Sequence, residues 1–397
     1  MRRDGVLFAA AGLAWGAVAL CAERELVVPG ARDRAVVRIP EAEPPRGGWP
    51  AMFFWHGMGG RPTISPLAAL PAATNVVLVG MAYAEPEPVA RTRAEHEAWL
   101  GREWAVLLET RRAVGRLAPL ANDALYIGGV SMGGWLAAAL FDRHPADHAG
   151  LVVLLAGRRS DDPRPSSRTG LKGRSVYVGA GETDPNLAAA RRAATFYRAH
   201  CAQVTFEMFE GVGHHVPPRA PRLEAWLLAE TIRRRTREEV RALLASWWAE
   251  ARAALASETD VRRRVVLLET IREDPRCALC GPEAAAELNR IAAALARDPE
   301  VIDRWNAERE LEQWLIAEWA ATSLDALRTV REGLASLVER HPSAPAARFA
   351  RLEGDVLDRL LAQSRSVVVH PATSLPPTQR LPSSPLRARG VPPLRRR

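Results

Sequence analysis

The chain has 397 residues, 48% of them hydrophobic and 25% charged, with a formal net charge of +8. Those values describe a globular protein long enough to hold about two domains. Seven Arg and no Asp or Glu lie between Arg365 and Arg397, so the excess charge belongs to one tail and nothing supports a basic nucleic-acid face on the folded part.

At the N-terminus, Arg2 and Arg3 precede an unbroken apolar run from Val6 to Leu20. A spanning helix needs roughly 20 apolar residues, whereas the apolar core of a signal peptide has about 7–15. Residues 1–22 therefore read as a signal peptide of a bacterial, exported protein, cleaved at Ala22 and released to the periplasm, envelope or exterior. Two alternatives stay open. Val18-Ala19-Leu20-Cys21 has the outline of a lipidation motif at Cys21, with Leu20 a poor fit, and the segment could also stay uncleaved as an anchor.

Past it, short apolar runs alternate with helical stretches. Glu25–Val28 and Ala35–Ile39 read as strands joined by a turn at Pro29-Gly30, followed by strands at Ala51–Trp55 and Asn75–Tyr83. Pro88–Leu117 reads as helix, Leu125–Val130 as strand, Gly134–Phe141 as helix and Gly150–Ala156 as strand. Arg174–Gly179 and Gln203–Glu210 follow as strands, each with a helix after it, at Asn186–His200 and Arg222–Arg234. Strands separated by such helices imply βαβ units and a mostly parallel sheet. Their lack of clean polar alternation suits burial on both faces.

Near Thr236 the pattern becomes wholly helical, rich in Ala, Leu, Glu and Arg, and runs to about Gln363. Trp247, Trp248, Trp305, Trp314 and Trp319 fall here at spacings that suit helix packing better than a ligand cage. Cys277-x-x-Cys280 has no second cysteine pair or paired histidines to complete a zinc site; it reads as a helix junction with at most a local disulfide. Beyond Ser364 the Pro-, Ser- and Arg-rich tail has too little apolar periodicity to offset the entropy of ordering. The expected organisation is 1–22 signal peptide, 23–235 α/β domain with a doubly wound, mostly parallel sheet, 236–363 all-α domain and 364–397 disordered tail.

The chemistry concentrates in Leu125-Tyr126-Ile127-Gly128-Gly129-Val130-Ser131-Met132-Gly133-Gly134. Gly129-x-Ser131-x-Gly133 lies between an apolar strand and a helix, where a sharp turn lifts a serine hydroxyl off the sheet edge. To attack an acyl carbon, that hydroxyl needs a base, and the base needs an orienting acid. Downstream, one strand runs into Gly181-Glu182-Thr183-Asp184-Pro185 and the next into Gly211-Val212-Gly213-His214-His215, acid before histidine. Asp184 leads Glu182, Asp161 and Asp162 as the acid, and His214 leads His215 as the base. Met52-Phe53-Phe54-Trp55 enters His56-Gly57-Met58-Gly59-Gly60, where backbone amides can approach a developing negative charge at about 3 kcal/mol each. The Met58 and Met132 N–H groups are the candidate pair, which leaves His56 structural. The other histidines read as surface or capping residues. The sequence has no metal-ligand cluster or phosphate-binding Gly-rich loop, and no cofactor is expected.

The set His56-Gly57-x-Gly59-Gly60, Gly129-x-Ser131-x-Gly133, Gly181-x-x-Asp184 and Gly213-His214 resembles the α/β-hydrolase superfamily. It is most similar to the carboxylesterase/phospholipase-like and polyhydroxyalkanoate-depolymerase-like esterases, over about residues 25–235. The resemblance implies a serine esterase with a Ser131–His214–Asp184 triad, an acyl-enzyme intermediate, and small or polymeric ester substrates. A peptidase or thioesterase would use the same groups. A rival from another class is a non-catalytic scaffold whose helical domain captures a protein partner. Membrane contact is expected only through an N-terminal anchor.

Overall fold

Apolar strands too short to bury themselves line up edge to edge in one sheet, eight of them among the described residues. The structure is a computed structural model that describes residues 23–85, 92–159, 170–232 and 237–363. The expected signal peptide with Cys21, the competing acids Asp161 and Asp162, most of the Arg158–Lys172 loop and the tail from 364 lie outside those residues. The strands are β1 (Glu23–Leu26), β2 (Ala35–Arg38), β3 (Trp49–Trp55), β4 (Val77–Met81), β5 (Leu120–Val130), β6 (Gly150–Leu154), β7 (Ser175–Gly181) and β8 (Gln203–Phe209). Their order in the sheet is β1-β2-β4-β3-β5-β6-β7-β8. β1 pairs with β2, and β2 with β4, antiparallel; from β4 through β8 every pairing is parallel. This is the α/β-hydrolase architecture.

Strand alternation sorts side chains between two cores. Phe53, Val79, Ile127, Val153 and Val178 face one side, covered by α2 (Arg93–Gly115), α3 (Met132–Arg143) and α4 (Leu187–Ala199). Met52, Phe54, Leu78, Tyr126, Val152 and Tyr177 face the other, covered by the single turn α1 (Ser65–Ala68) and by α5 (Pro221–Ile232).

Element ends differ from expectation where local hydrogen bonds outweigh apolar content. The first strand ends at Leu26, because Val28 accepts from Ala31 N–H at 3.1 Å across the Pro29-Gly30 turn, with Gly30 at φ 79°. Asn75 belongs to a 3₁₀ turn rather than to β4. α2 starts at Arg93 because Thr92 and Glu95 form a capping box that satisfies two orphan donors. β5 begins at Leu120, with a register shift against β3 between Trp49 and Ala51. Two of the histidines expected as surface or capping residues, His96 and His148, are buried, and His148 Nδ1 lies 3.0 Å from the carbonyl of His144, the C-cap of α3.

After α5, six helices follow among the described residues: α6 (Arg237–Ser257), α7 (Val261–Glu273), α8 (Pro282–Leu295), α9 (Pro299–Ala320), α10 (Leu324–Arg340) and α11 (Pro345–Gln363). They divide into two sets. α6, α7 and α8 share an apolar cluster built on Leu255, Leu268, Ile271 and Leu288, with Trp247, Trp248 and Trp305 packed against it. Leu311, Leu334, Leu337 and Leu357 of α9–α11 instead join the core of the sheet itself. The hydrophobic core therefore crosses the boundary at 235/236. Cys277 and Cys280 are thiols between α7 and α8, Cys277 opening a 3₁₀ turn and Cys280 capping it. Burial, the largest cause in each case, pushes both to about 11, which leaves little reactive thiolate at neutral pH.

Candidate active site

Three parallel strands deliver the expected residues to one edge of the sheet. β5 ends at Val130, and Ser131 follows at φ 54°, ψ −120°, immediately before α3. A non-glycine residue at positive φ is strained, and the surroundings hold it there. Ser131 N–H donates to Leu154 O at 2.8 Å, and Ser131 O accepts from Trp135 N–H at 3.1 Å. The flanking glycines are required by contact rather than by torsion. A Cβ on Gly129 would lie 2.3 Å from the Gly133 carbonyl carbon, and one on Gly133 would lie 2.4 Å from Trp55 O.

β7 leads into the acid loop. Asp184 is buried, its N–H donates to Gly181 O at 3.1 Å, and its Oδ1 accepts from Asn186 N–H at 2.7 Å. Asn186 Nδ2 in turn donates to Leu155 O at 2.9 Å, tying this loop to the end of β6. β8 leads into the histidine loop. His214 Nδ1 lies 3.0 Å from Asp184 Oδ1, and its Nε2 lies 2.9 Å from Ser131 Oγ. The carboxylate can only accept, so Nδ1 carries the proton and Nε2 accepts from the serine hydroxyl. The Asp184 side chain is fully shielded and that of His214 is 39% exposed, so the polar relay runs from the protein interior to a reachable hydroxyl.

Of the residues that competed in the sequence, His215 is not the one that bridges. Glu182 points away from His214: its Oε2 accepts Gly211 N–H at 2.8 Å, and its Oε1 meets Arg348.

The loop after β3 passes over the serine. A Cβ on Gly57 would lie 3.3 Å from Ser131 Cβ and 4.0 Å from its Oγ. Gly60 N–H donates to Gly57 O at 3.1 Å, with Gly59 at φ 67°, a turn whose corner residues are Met58 and Gly59. Corner amides are not consumed by the turn's own hydrogen bond, and the Met58 residue is 69% exposed. Met132 is the first residue of α3, where a helical N–H has no carbonyl behind it and the dipole favours negative charge. His56 is buried as a support: its Nδ1 lies 2.7 Å from Gly57 O, its carbonyl accepts from Tyr83 Oη at 2.7 Å, and the two rings meet edge-on at 4.8 Å.

The side chains of Asn186, Tyr83 and Arg348 had no sequence signal, because each acts through a contact distant in the chain, with Leu155, His56 and Glu182 respectively. Among the described residues no cluster of three or more His, Cys, Asp or Glu could hold a metal ion.

No family model matches the chain, and no curated protein matches it in sequence. Solved structures do resemble it. A carboxylesterase from Mesorhizobium loti is 18% identical, covering 52% of this chain and 98% of its own, with a TM-score of 0.41. The substrate-bound fluorophosphonate-binding serine hydrolase F of Staphylococcus aureus is 13% identical over 53% and 97%, with a TM-score of 0.39. A hyperthermophilic esterase from the archaeon Pyrobaculum calidifontis is 15% identical over 52% and 85%, again at 0.39.

Proposed function

We propose that this protein is a serine hydrolase that cleaves carboxylic esters through an acyl-enzyme intermediate. The observation that carries the reading is the unbroken relay from Ser131 Oγ through His214 to buried Asp184, at 2.9 and 3.0 Å, on a strained strand-to-helix turn. His214 Nε2 takes the Ser131 proton as Oγ attacks the ester carbonyl, and Asp184 stabilises the imidazolium that forms. The oxyanion is held by the Met58 amide of the turn after β3 and the Met132 amide at the head of α3. Collapse breaks the ester C–O bond, and His214 returns its proton to the departing alcohol. Water, deprotonated by the same histidine, then releases the acid and restores Ser131. No step calls for a cofactor. Export of the mature chain is part of this proposal and rests on Arg2, Arg3 and the run from Val6 to Leu20.

Covalent labelling with a fluorophosphonate tests it. The parent should label, Ser131→Ala should not, and Asp184→Asn should turn over p-nitrophenyl acetate about 10⁴-fold more slowly. A Ser131→Ala protein that labels as fast as the parent would overturn the assignment. Turnover of peptides or thioesters in preference to acyl esters would move the substrate class.

A further inference from the structure

Arg348 lies far in sequence from every residue of the relay, yet its guanidinium closes on the loop that carries the acid. Nη2 donates to the Glu182 carbonyl at 3.0 Å, and Nη1 meets Glu182 Oε1. The same carboxylate uses Oε2 to accept Gly211 N–H at 2.8 Å. Glu182 is two residues before Asp184, and Gly211 is three before His214. The two loops are laced by their backbones as well: Glu182 N–H donates to Phe209 O at 2.9 Å, and Thr183 N–H to Val212 O at 3.0 Å. One carboxylate thus joins the acid loop, the histidine loop and α11.

The base of Arg348 is seated between buried neighbours. Ala346, Ala347, Phe349 and Ala350 around it are buried in the common core. Phe349 meets Phe206 of β8 at 6.3 Å, and the Arg191 guanidinium of α4 covers both rings at 5.3 and 5.2 Å. The fork reaches two acceptors from a seat fixed by packing, which adds directional definition beyond a point charge. The side chains are 41% and 29% exposed, so solvent screens the pair and it adds little to global stability. Its leverage is geometric, because small misplacements of a reacting group cost rate steeply.

We infer that Arg348 is a positioning residue: through Glu182 it holds the Asp184 and His214 loops in register, making the helices after α8 a working part of the hydrolytic site. The inference rests on the function proposed above for that site.

The test uses the full chain with Arg348→Met, which keeps the apolar stem, Arg348→Lys, and Arg331→Met as a control. The control breaks an exposed pair between Arg331 and Asp358 on α10 and α11. Hydrogen exchange of residues 209–216 and the rate of acylation by p-nitrophenyl acetate are read together, beside fluorophosphonate labelling and the melting temperature. Arg348→Met is expected to speed exchange in that segment and slow acylation about tenfold, below the roughly 10²-fold that a ~1 Å displacement can cost. It should act on kcat rather than KM, and at near-parental melting temperature. Lysine should restore part of the rate, since it can reach one acceptor but not fork across two, and Arg331→Met should behave as the parent. Parental exchange at 209–216 in Arg348→Met overturns the inference whatever the activity, as does a lowered melting temperature with an unchanged acylation rate. A parent that never labels would sink the esterase reading instead, while the exchange measurement still decides whether Arg348 holds the loops.

Discussion

Gly133 has no room for a methyl group: a Cβ there would stand 2.4 Å from Trp55 O and 2.6 Å from His56 O, both rigid backbone. Gly133→Ala must push the β3 loop away from the serine turn, the approach that brings Gly57 to Ser131. The expected result is a stability loss of about 1–3 kcal/mol, typical of overpacking, with acylation falling further than stability. Urea unfolding and the rate of acylation by p-nitrophenyl acetate, on one preparation, would separate the two effects. At this scale the serine turn and the order of acid and histidine could be read from the sequence, because each is local: a glycine pair around a serine, and a polar residue just past an apolar strand. The hydrogen bonds from Asn186 Nδ2 to Leu155 and from Arg348 to Glu182 could not, since they depend on which distant segments the fold brings together.

His148, just ahead of β6, shows how an element end sets a residue's charge. Its ring is buried near Trp104, whose ring meets it edge-on at 5.7 Å, and near Phe141 at 6.4 Å, while Nδ1 lies 3.0 Å from His144 O. Burial, the largest cause, lowers its pKa from 6.5 to about 4. Between those values the unfolded chain binds a proton that the folded ring refuses, so stability falls as pH drops from 6.5 to 4 and levels off below. The contribution is at most about 3 kcal/mol. Melting temperatures of the parent and His148→Leu across that range should show a shallower slope in the variant; parallel slopes would mean that the histidine titrates freely in the fold. Strand interiors were legible from apolar runs, whereas the start of α2, the 3₁₀ turn before β4 and the burial of His148 followed from capping and tertiary packing.

At the scale of the molecule, charges buried where α4 meets α9 and α11 join the C-terminal helices to the sheet. Arg192 lies 3.4 Å from Glu318 and also pairs with Glu353. Burial raises the pKa of both carboxyls, and Glu353 raises that of Glu318 further. Arg192→Met would leave two acids facing each other without their cation, and losing one partner of a buried pair costs about 3–5 kcal/mol. Protonation relieves buried carboxylates, so the urea midpoint of the variant should fall more at pH 8 than at pH 5. An equal fall at both would place the loss in packing rather than charge. The change from strands to helices near 236 was visible in composition. The return of α9–α11 to the sheet's own core was not, because an apolar helix face does not say which surface it will cover.

That return separates what the backbone connects from what adhesion holds. The chain leaves the sheet's two cores after Leu227 and re-enters at Ala307, and the helices between gather around a cluster of their own. Phe206, Phe349, Arg191 and Arg192 keep α9–α11 in place, not the peptide bonds of the detour. A cut in the exposed turn between Ser257 and Asp260 would therefore leave two polypeptides that still travel as one particle, with Arg348 in place beside Glu182.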